Sequence, residues 1–225
     1  MGVTLSDVLN TWGELDADGA LQETVAGVAG DDRADFLRKA AFGGAAVLGA
    51  GGLMGLLPSV AAGATPKSDV AILNFALTLE YLEAAFYAEA RANASIFKGD
   101  TRNFVDVVAR HEATHVAFLR KALGSAAVAK PKFDFKGTSN RSQATFQATA
   151  QVLEDTGVMA YAGQVGNVKT KGILAAAASI HSVEARHAAW IRHIRQKPPA
   201  PVAFDPPKTK AQILAAVKKT GFIVG

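Results

Sequence analysis

Hydrophobic positions recur with the 3.6-residue period of an α-helix in four long segments of the chain, the first beginning near Ser68. Ser68 is of a residue type that caps helix N-termini, Gly124 follows the second segment, and Pro198 stops the fourth. The pattern therefore predicts four long helices, over about residues 68–94, 100–123, 142–168 and 170–196.

The connections between these segments predict how the helices pack. The connections within the first pair and within the last pair are short, so the helices of each pair must be antiparallel. The connection between the second and third helices, about residues 124–141, is long. At ~3.3 Å per residue it exceeds the ~36 Å length of such a helix. We therefore expect an all-α protein, a four-helix bundle with one long crossover between helices two and three.

The regions on either side of the bundle differ from it in composition. Residues 198–207 are rich in proline and predict a stiff, extended strap, and a short amphipathic helix follows near residues 208–219. The apolar end, residues 222–224, is expected to dock on the bundle. We accordingly divide the chain into an N-terminal segment (1–66), the bundle (67–197) and a C-terminal strap and helix (198–225).

The N-terminal segment contains an apolar leader. Residues 40–66 carry no charged side chain, and Ala62-Gly63-Ala64 has the small-x-small form of a cleavage site. With the preceding Arg33, this resembles a twin-arginine export signal, although Ala34 stands in place of the second arginine. We expect an exported or cell-envelope protein with membrane contact through residues 40–64. The alternative is an uncleaved Gly/Ala-rich helix that packs on the bundle or on a partner, or that anchors in a membrane. A cytoplasmic location stays open.

Composition narrows the classes of function. The chain has no cysteine, which excludes disulfides, thiol catalysis and iron–sulfur clusters. Residues 65–225 carry 21 basic and 12 acidic side chains. The basic residues are scattered, however, without a dense stripe or interleaved aromatic residues. Nucleic acid is therefore not an expected partner.

Two related stretches lie in the second and fourth predicted helices. Residues 111–120 read HEATHVAFLR and residues 183–192 read VEARHAAWIR, with five of ten positions identical. Both stretches contain Glu-x-x-His. Residues i and i+3 lie on one face of a helix, so the carboxylate and the imidazole can bind the same ion or two adjacent ions.

A second repeated pair lies in the first and third predicted helices. Glu80 is followed seven residues later by Tyr87, and Glu154 is followed seven residues later by Tyr161. Seven residues are two helical turns, so each glutamate shares a face with its tyrosine. The two halves of the bundle are thus an internal repeat of helix pairs. We expect each tyrosine in the core, its hydroxyl bonded to a ligand carboxylate, with electron relay as the alternative.

The repeat also selects among further candidates. Glu83 lies one turn after Glu80, but its counterpart in the second copy is Gly157. Glu83 is therefore expected outside the ligand set, either behind the ligands or at the surface. The same comparison excludes His111 and His181 from the predicted ligand set, because their counterparts in the other copy are apolar.

One glutamate from each of two helices and one Glu-x-x-His from each of the other two form the predicted metal ligands: Glu80, Glu112, His115, Glu154, Glu184 and His187. Bundles with this ligand set hold two metal ions. Four carboxylates can neutralise two divalent cations, and without metal some of them would have to take up protons. Oxygen and imidazole ligands without cysteine suit iron, the first expectation, or manganese.

Residues 68–196 resemble the ferritin-like domain of bacterial proteins that carry an export signal, a family related more distantly to rubrerythrins and ferritins. The matching stretches are residues 69–80, 82–87, 111–115, 153–157 and 183–187. The resemblance implies a ferritin-like four-helix bundle with a di-metal site on the six residues named above. It does not fix the reaction, because one fold supports many functions.

The sequence favours a redox protein whose two metal ions react with O₂ or H₂O₂, as in a di-iron oxidase, a ferroxidase or a peroxidase, although enzyme activity itself stays open. The alternative is a stress-protective or cell-envelope structural bundle in which metal only stabilises the fold or is absent. A membrane-attached interaction module built on residues 1–66 is a third interpretation. Metal ions and a small oxidant are the expected partners, and a homo-oligomer is compatible with the sequence.

Overall fold

The structure is a computed structural model that describes residues 65–224. The predicted export signal, anchor and membrane contact at residues 40–64 lie outside this range. The described part contains five α-helices and no β-strand, with one isolated bridge between Phe133 and Ile223. The helices are α1 (Lys67–Ala92), α2 (Gly99–Leu123), α3 (Gln143–Val165), α4 (Lys171–Ile194) and α5 (Lys210–Thr220).

The helix ends follow local chemistry, with one correction. The cap expected at Ser68 is wrong: Pro66 is the N-cap residue of α1, and Ser68 lies inside the first turn. The carbonyl of Pro66 accepts bonds from the amides of Asp69 and Val70, so the turn forms without a side-chain cap. At α3 the Ser142 hydroxyl does cap the helix, accepting a 3.1 Å bond from the Thr145 amide.

The four long helices form the predicted bundle. α1 packs along α2 and α3 packs along α4, with further contacts between α1 and α3 and between α2 and α4. The crossover runs along α1: the Asn74 side chain binds the Ala126 carbonyl near its start, and the Ser139 hydroxyl donates to Glu89 near its end. Fifteen helical residues separate Asn74 from Glu89, about 22 Å, so the crossover returns the chain to the opposite end of the bundle.

The C-terminal region docks on the bundle where a glycine lets it approach. The Lys208 amide donates a 3.1 Å bond to the Met159 carbonyl on α3. A Cβ atom at Gly163 would lie 1.9 Å from the Lys208 carbonyl oxygen, so a side chain there would collide with the strap. Beyond this contact, α5 buries Ile213 and Val217 in the core.

An aromatic cluster fills the core on one side of the bundle's centre. Phe86, Phe104 and Phe146 are fully buried, and the rings of Phe86 and Phe146 stack with centroids 5.4 Å apart. α1 is apolar and long enough to cross a membrane, but it is the core helix, because its buried face packs against the other helices. The same face of α1 carries the buried Glu80, whose carboxylate lies in the polar centre of the bundle.

Candidate metal centre

The bundle brings the six predicted ligands together in its interior. α1 contributes one glutamate and α3 another, while α2 and α4 each contribute a Glu-x-x-His pair. All six side chains are buried: Glu80, Glu112, His115, Glu154, Glu184 and His187. Helical periodicity places them inward because they lie in register with the apolar core positions of their helices.

Their oxygen and nitrogen atoms form two overlapping groups. The first group contains Glu80, Glu112, His115 and Glu184, and the second contains Glu112, Glu154, Glu184 and His187. Within each group the candidate ligand atoms lie within 4.8 Å of one another. The two Glu-x-x-His glutamates belong to both groups, whereas each histidine and each remaining glutamate belongs to one.

Each histidine directs its Nδ1 atom at the carboxylates of its own group. Nδ1 of His115 lies 3.2 Å from a Glu80 oxygen and 3.2 Å from a Glu184 oxygen. Nδ1 of His187 lies 3.2 Å from a Glu112 oxygen and 3.3 Å from a Glu154 oxygen. The two groups therefore have the same composition and related geometry, as expected from the internal repeat.

The two tyrosines cross between the halves of the repeat. The Tyr161 hydroxyl donates a 2.5 Å bond to Oε1 of Glu80, and the Tyr87 hydroxyl donates to Oε1 of Glu154. Each tyrosine thus binds the glutamate of the other copy, and the predicted bond to a candidate ligand carboxylate is present in both halves. One oxygen of each glutamate is held in this way, and Oε2 is left to face the centre.

Several buried polar atoms at this centre have no hydrogen-bond partner among the described residues. They are both carboxylate oxygens of Glu112 and of Glu184, Oε2 of Glu154 and Nδ1 of His187. Buried polar atoms are nearly always satisfied, and unpaired ones indicate an ion or water at the site. Four of these unpaired atoms belong to Glu112 and Glu184, the residues that the two groups share, and two belong to Glu154 and His187 of the second group. This set of donor atoms fits metal ions bound between these residues.

Without metal, the centre has to hold protons. Burial would lower the pKa of His187, but the negative charge of Glu154 and the closeness of Glu112 and Glu154 oxygens to its Nδ1 atom raise it to about 10. Burial raises the pKa of Glu80 to about 7, with His115 opposing the shift and Glu112 adding to it. Burial and the negative charge of Glu112 raise the pKa of Glu184 well above its ordinary value. Protons and any bound metal ion would therefore compete for the same atoms.

A further carboxylate, Glu83, lies in the centre, so its predicted surface alternative is wrong. Its side chain is buried, and burial together with the charge of Glu184 raises its pKa well above the ordinary value. A Cβ atom at Gly157 would lie 3.0 Å from Oε2 of Glu184 and 3.3 Å from Oε1 of Glu83. The signal in the sequence was Gly157, the counterpart of Glu83 in the repeat, because a glycine at this position leaves room for an extra carboxylate in one half.

The two histidines that the repeat comparison excluded from the ligand set have different surroundings. His111 lies at the edge of the centre, where its Nδ1 atom is 2.8 Å from Nε2 of His187. His181 lies away from the centre, 3.7 Å from Asp205 of the strap. His111 is thus a neighbour of the centre that the repeat comparison missed. Its position four residues before His115, on the same helix face, was the available signal.

Comparison with known proteins agrees with this fold. The sequence model of the family described as "Ferritin-like domain" matches residues 68–197, which is more than half of the chain. A comparison with curated protein sequences finds no match. The all-α bundle and the buried cluster of glutamate and histidine, which is compatible with metal binding, fit the family. The chain belongs to the ferritin-like domain family.

Proposed function

We propose that the chain binds two metal ions, iron or manganese, and uses them in redox chemistry with O₂ or H₂O₂. Glu80 and His115 would hold one ion and Glu154 and His187 the other, with Glu112 and Glu184 shared between them. The observation that carries this proposal is the set of unpaired buried oxygens on the two shared glutamates. Two adjacent groups that share carboxylates favour a pair of ions over a single one.

The charge of the centre supports the same conclusion. Four ligand carboxylates carry −4, which two divalent cations offset, so the filled centre is close to neutral inside an apolar bundle. Glu83 adds a fifth carboxyl, and burial together with the neighbouring carboxylates raises its pKa, which favours its uncharged form. A buried centre with five negative charges and no compensation would be strongly destabilising.

The protein side of the chemistry follows from the contacts. A pair of iron or manganese ions, once bound by these residues, would supply the electrons that reduce O₂ or H₂O₂. The tyrosines hold one oxygen of Glu80 and one of Glu154, which limits how these carboxylates can turn. The buried helices exclude water, and the carboxyl of Glu83 lies beside that of Glu184, where burial and the charge of Glu184 raise its pKa. These groups restrict the ligand carboxylates and favour a protonated carboxyl beside them.

An apolar cavity beside the centre supports a small, uncharged oxidant. It has a volume of about 30 Å³, and its walls are almost entirely apolar. Apolar walls disfavour water and accept apolar guests such as O₂. Tyr161, which binds Glu80, forms part of the wall, so the cavity is connected to a candidate ligand through this tyrosine. Its lining includes Leu79, Phe118, Leu119, Tyr161, Ala176 and Ile180.

Metal content and oxidation kinetics test the proposal together. Elemental analysis of protein purified without added metal should find iron or manganese, and titration should give two ions per chain. Anaerobic protein loaded with Fe(II) and mixed with O₂ or H₂O₂ in a stopped-flow instrument should oxidise the iron faster than free Fe(II) under the same conditions.

Two variants complete the test. The double variant Glu112→Ala plus Glu184→Ala should hold neither ion, whereas His193→Ala, which changes an exposed histidine on α4, should behave as the unchanged protein. Two ions retained by the double variant would refute the ligand assignment. Metal that raises the unfolding temperature without any accelerated oxidation would instead support the structural alternative.

A further inference from the structure

His111 contacts His187 on the side of the ring that faces away from the carboxylates. Nδ1 of His111 lies 2.8 Å from Nε2 of His187, and the two rings are inclined by 19°. The other nitrogen of His187, Nδ1, faces Glu112 and Glu154 at 3.2 and 3.3 Å. His187 is thus held between the centre on one side and His111 on the other.

This arrangement fixes where the proton of His187 must lie when metal is bound. A nitrogen that binds metal carries no proton, so a neutral His187 bound through Nδ1 carries its proton on Nε2. Nε2 then donates to Nδ1 of His111, which accepts. Ligand histidines generally donate their second N–H to an acceptor, most often a carboxylate, a backbone carbonyl or water, and this acceptor orients the ring and increases its basicity. Nδ1 of His111 takes that place here.

The other half of the repeat has no equivalent group. The counterpart of His111 is Val183, whose side chain cannot accept a hydrogen bond. His115, the ligand of the first group, also keeps 10% of its side chain exposed, against 3% for His187. The two groups share the same ligand types, but the bundle supports only one of the two histidines with a protein acceptor among the described residues.

We propose that His111 is a positioning residue that orients His187, so that the two metal ions bind with unequal affinity. The ion held by Glu154 and His187 should bind more tightly than the ion held by Glu80 and His115. This inference rests on the proposed di-metal function, because it assigns a role to His111 only through a ligand histidine. It goes beyond that function by predicting an order of loading within a nearly symmetric ligand set.

Calorimetric titration with Mn(II) alone tests the inequality. The unchanged protein should bind two ions in two distinguishable steps. His111→Phe keeps a ring but removes the acceptor, and it should weaken one step by about 10–100-fold while leaving the other step unchanged. His111→Asn, which places an amide oxygen close to the position of Nδ1, should restore the affinity of that step. His193→Phe, at an exposed position of α4, is the matched control and should change neither step.

Nuclear magnetic resonance identifies the contact directly. In protein with ¹⁵N-labelled histidine and bound Zn(II), a scalar coupling between Nε2 of His187 and Nδ1 of His111 should be detected across the hydrogen bond. His111→Phe should abolish it. This measurement uses the unchanged protein and therefore tests the hydrogen bond even if a variant does not fold.

The outcomes separate the two proposals. If the unchanged protein binds no metal, the proposed function fails. If it binds two ions but the coupling is absent, only the role of His111 fails. The same holds if His111→Phe leaves both steps unchanged or weakens them equally, or if His111→Asn does not restore the weakened step.

Discussion

At the scale of single residues, the centre is organised by which atom each side chain offers. Tyr87 and Tyr161 each bind one oxygen of a glutamate, and the second oxygen faces the centre. Glu112 and Glu184 have no such partner, so both of their oxygens remain available. These contacts divide four chemically identical carboxylates into two held at one oxygen and two free at both. The free ones are the ones suited to contact two ions.

The first prediction compares Glu80 with Glu83, which lie one turn apart on α1 and are both buried. Glu80 belongs to a ligand group and Glu83 does not. Glu80→Gln should therefore weaken Mn(II) binding by more than about 100-fold. Glu83→Gln, which changes a neighbour of the ligands, should weaken it by about 10–100-fold at most. Parallel metal titrations of the two variants measure the difference. If Glu83→Gln weakens Mn(II) binding more than Glu80→Gln does, the two halves use different ligands, and the internal repeat does not identify the ligand set correctly.

At the scale of helices and connections, glycines decide where elements can approach. Gly157 leaves room for the carboxylates of Glu83 and Glu184, and Gly163 leaves room for the strap at Lys208. Both lie on α3, six residues apart, and neither has the positive φ that would require glycine for backbone reasons. Their role is therefore steric. Gly157 makes room for carboxylates of the centre, and Gly163 makes room for the strap to pack on α3.

The second prediction tests the contact between α3 and the strap. Gly163→Ala would put a Cβ atom 1.9 Å from the Lys208 carbonyl oxygen, so the strap must move and α5 loses part of its docking. We expect a loss of about 1–3 kcal/mol in the free energy of unfolding, the usual range for overpacking. Urea denaturation followed by circular dichroism measures it.

Gly166→Ala is the matched control for this prediction. Gly166 also lies at the end of α3, and nothing stands within 4 Å of its Cβ position. The control should change stability by no more than about 0.5 kcal/mol. Equal stability of the two variants would mean that the strap does not depend on this close approach.

At the scale of the whole molecule, stability and metal binding are linked through protons. In the metal-free protein, His187 has a pKa of about 10 against an ordinary 6.5. Its stabilising contribution is complete below pH 6.5 and is lost as the pH rises to 10. Glu80 has a pKa of about 7 against 4.5, so the folded state keeps a proton that the unfolded chain has lost. The raised pKa of Glu80 therefore also lowers the free energy of unfolding as the pH rises from 4.5 to 7.

The third prediction follows from these signs. Between pH 5 and 9, roughly, these two groups should make the Tm of metal-free protein fall as the pH rises. The gain in Tm on adding Mn(II) should grow over the same range, because fewer protons compete for the ligands. Scanning calorimetry with metal and with a chelator measures both trends. A gain that does not depend on pH would contradict a centre in which metal replaces protons.

The fourth prediction concerns the first 64 residues. Every candidate ligand and every helix of the bundle lies after residue 65, and the family match begins at residue 68. A chain that starts at Thr65 should therefore fold, bind metal and keep the five helices. Circular dichroism and metal titration of this shortened chain, beside the full chain, check the expectation. If the shortened chain were insoluble or unable to bind metal, residues 1–64 would be part of the folded unit.

The sequence by itself determined the bundle and its six candidate ligands. Helical periodicity is a local property, and the Glu-x-x-His pairs lie within single turns, so both can be identified without knowing how the helices pack. The internal repeat then related Glu80 to Glu154 across 74 residues. Those two glutamates are the ones whose second oxygens face the centre in the structure.

Only the tertiary structure decided what lies around those ligands. The bonds from Tyr87 to Glu154 and from Tyr161 to Glu80 join opposite halves of the repeat, and no spacing along the chain distinguishes them from bonds within one half. The burial of Glu83 and the contact of His111 with His187 depend on which helices are neighbours. Comparison of the repeats identifies what the two halves share. The packing of four helices gives each half different surroundings, and this difference makes the centre asymmetric.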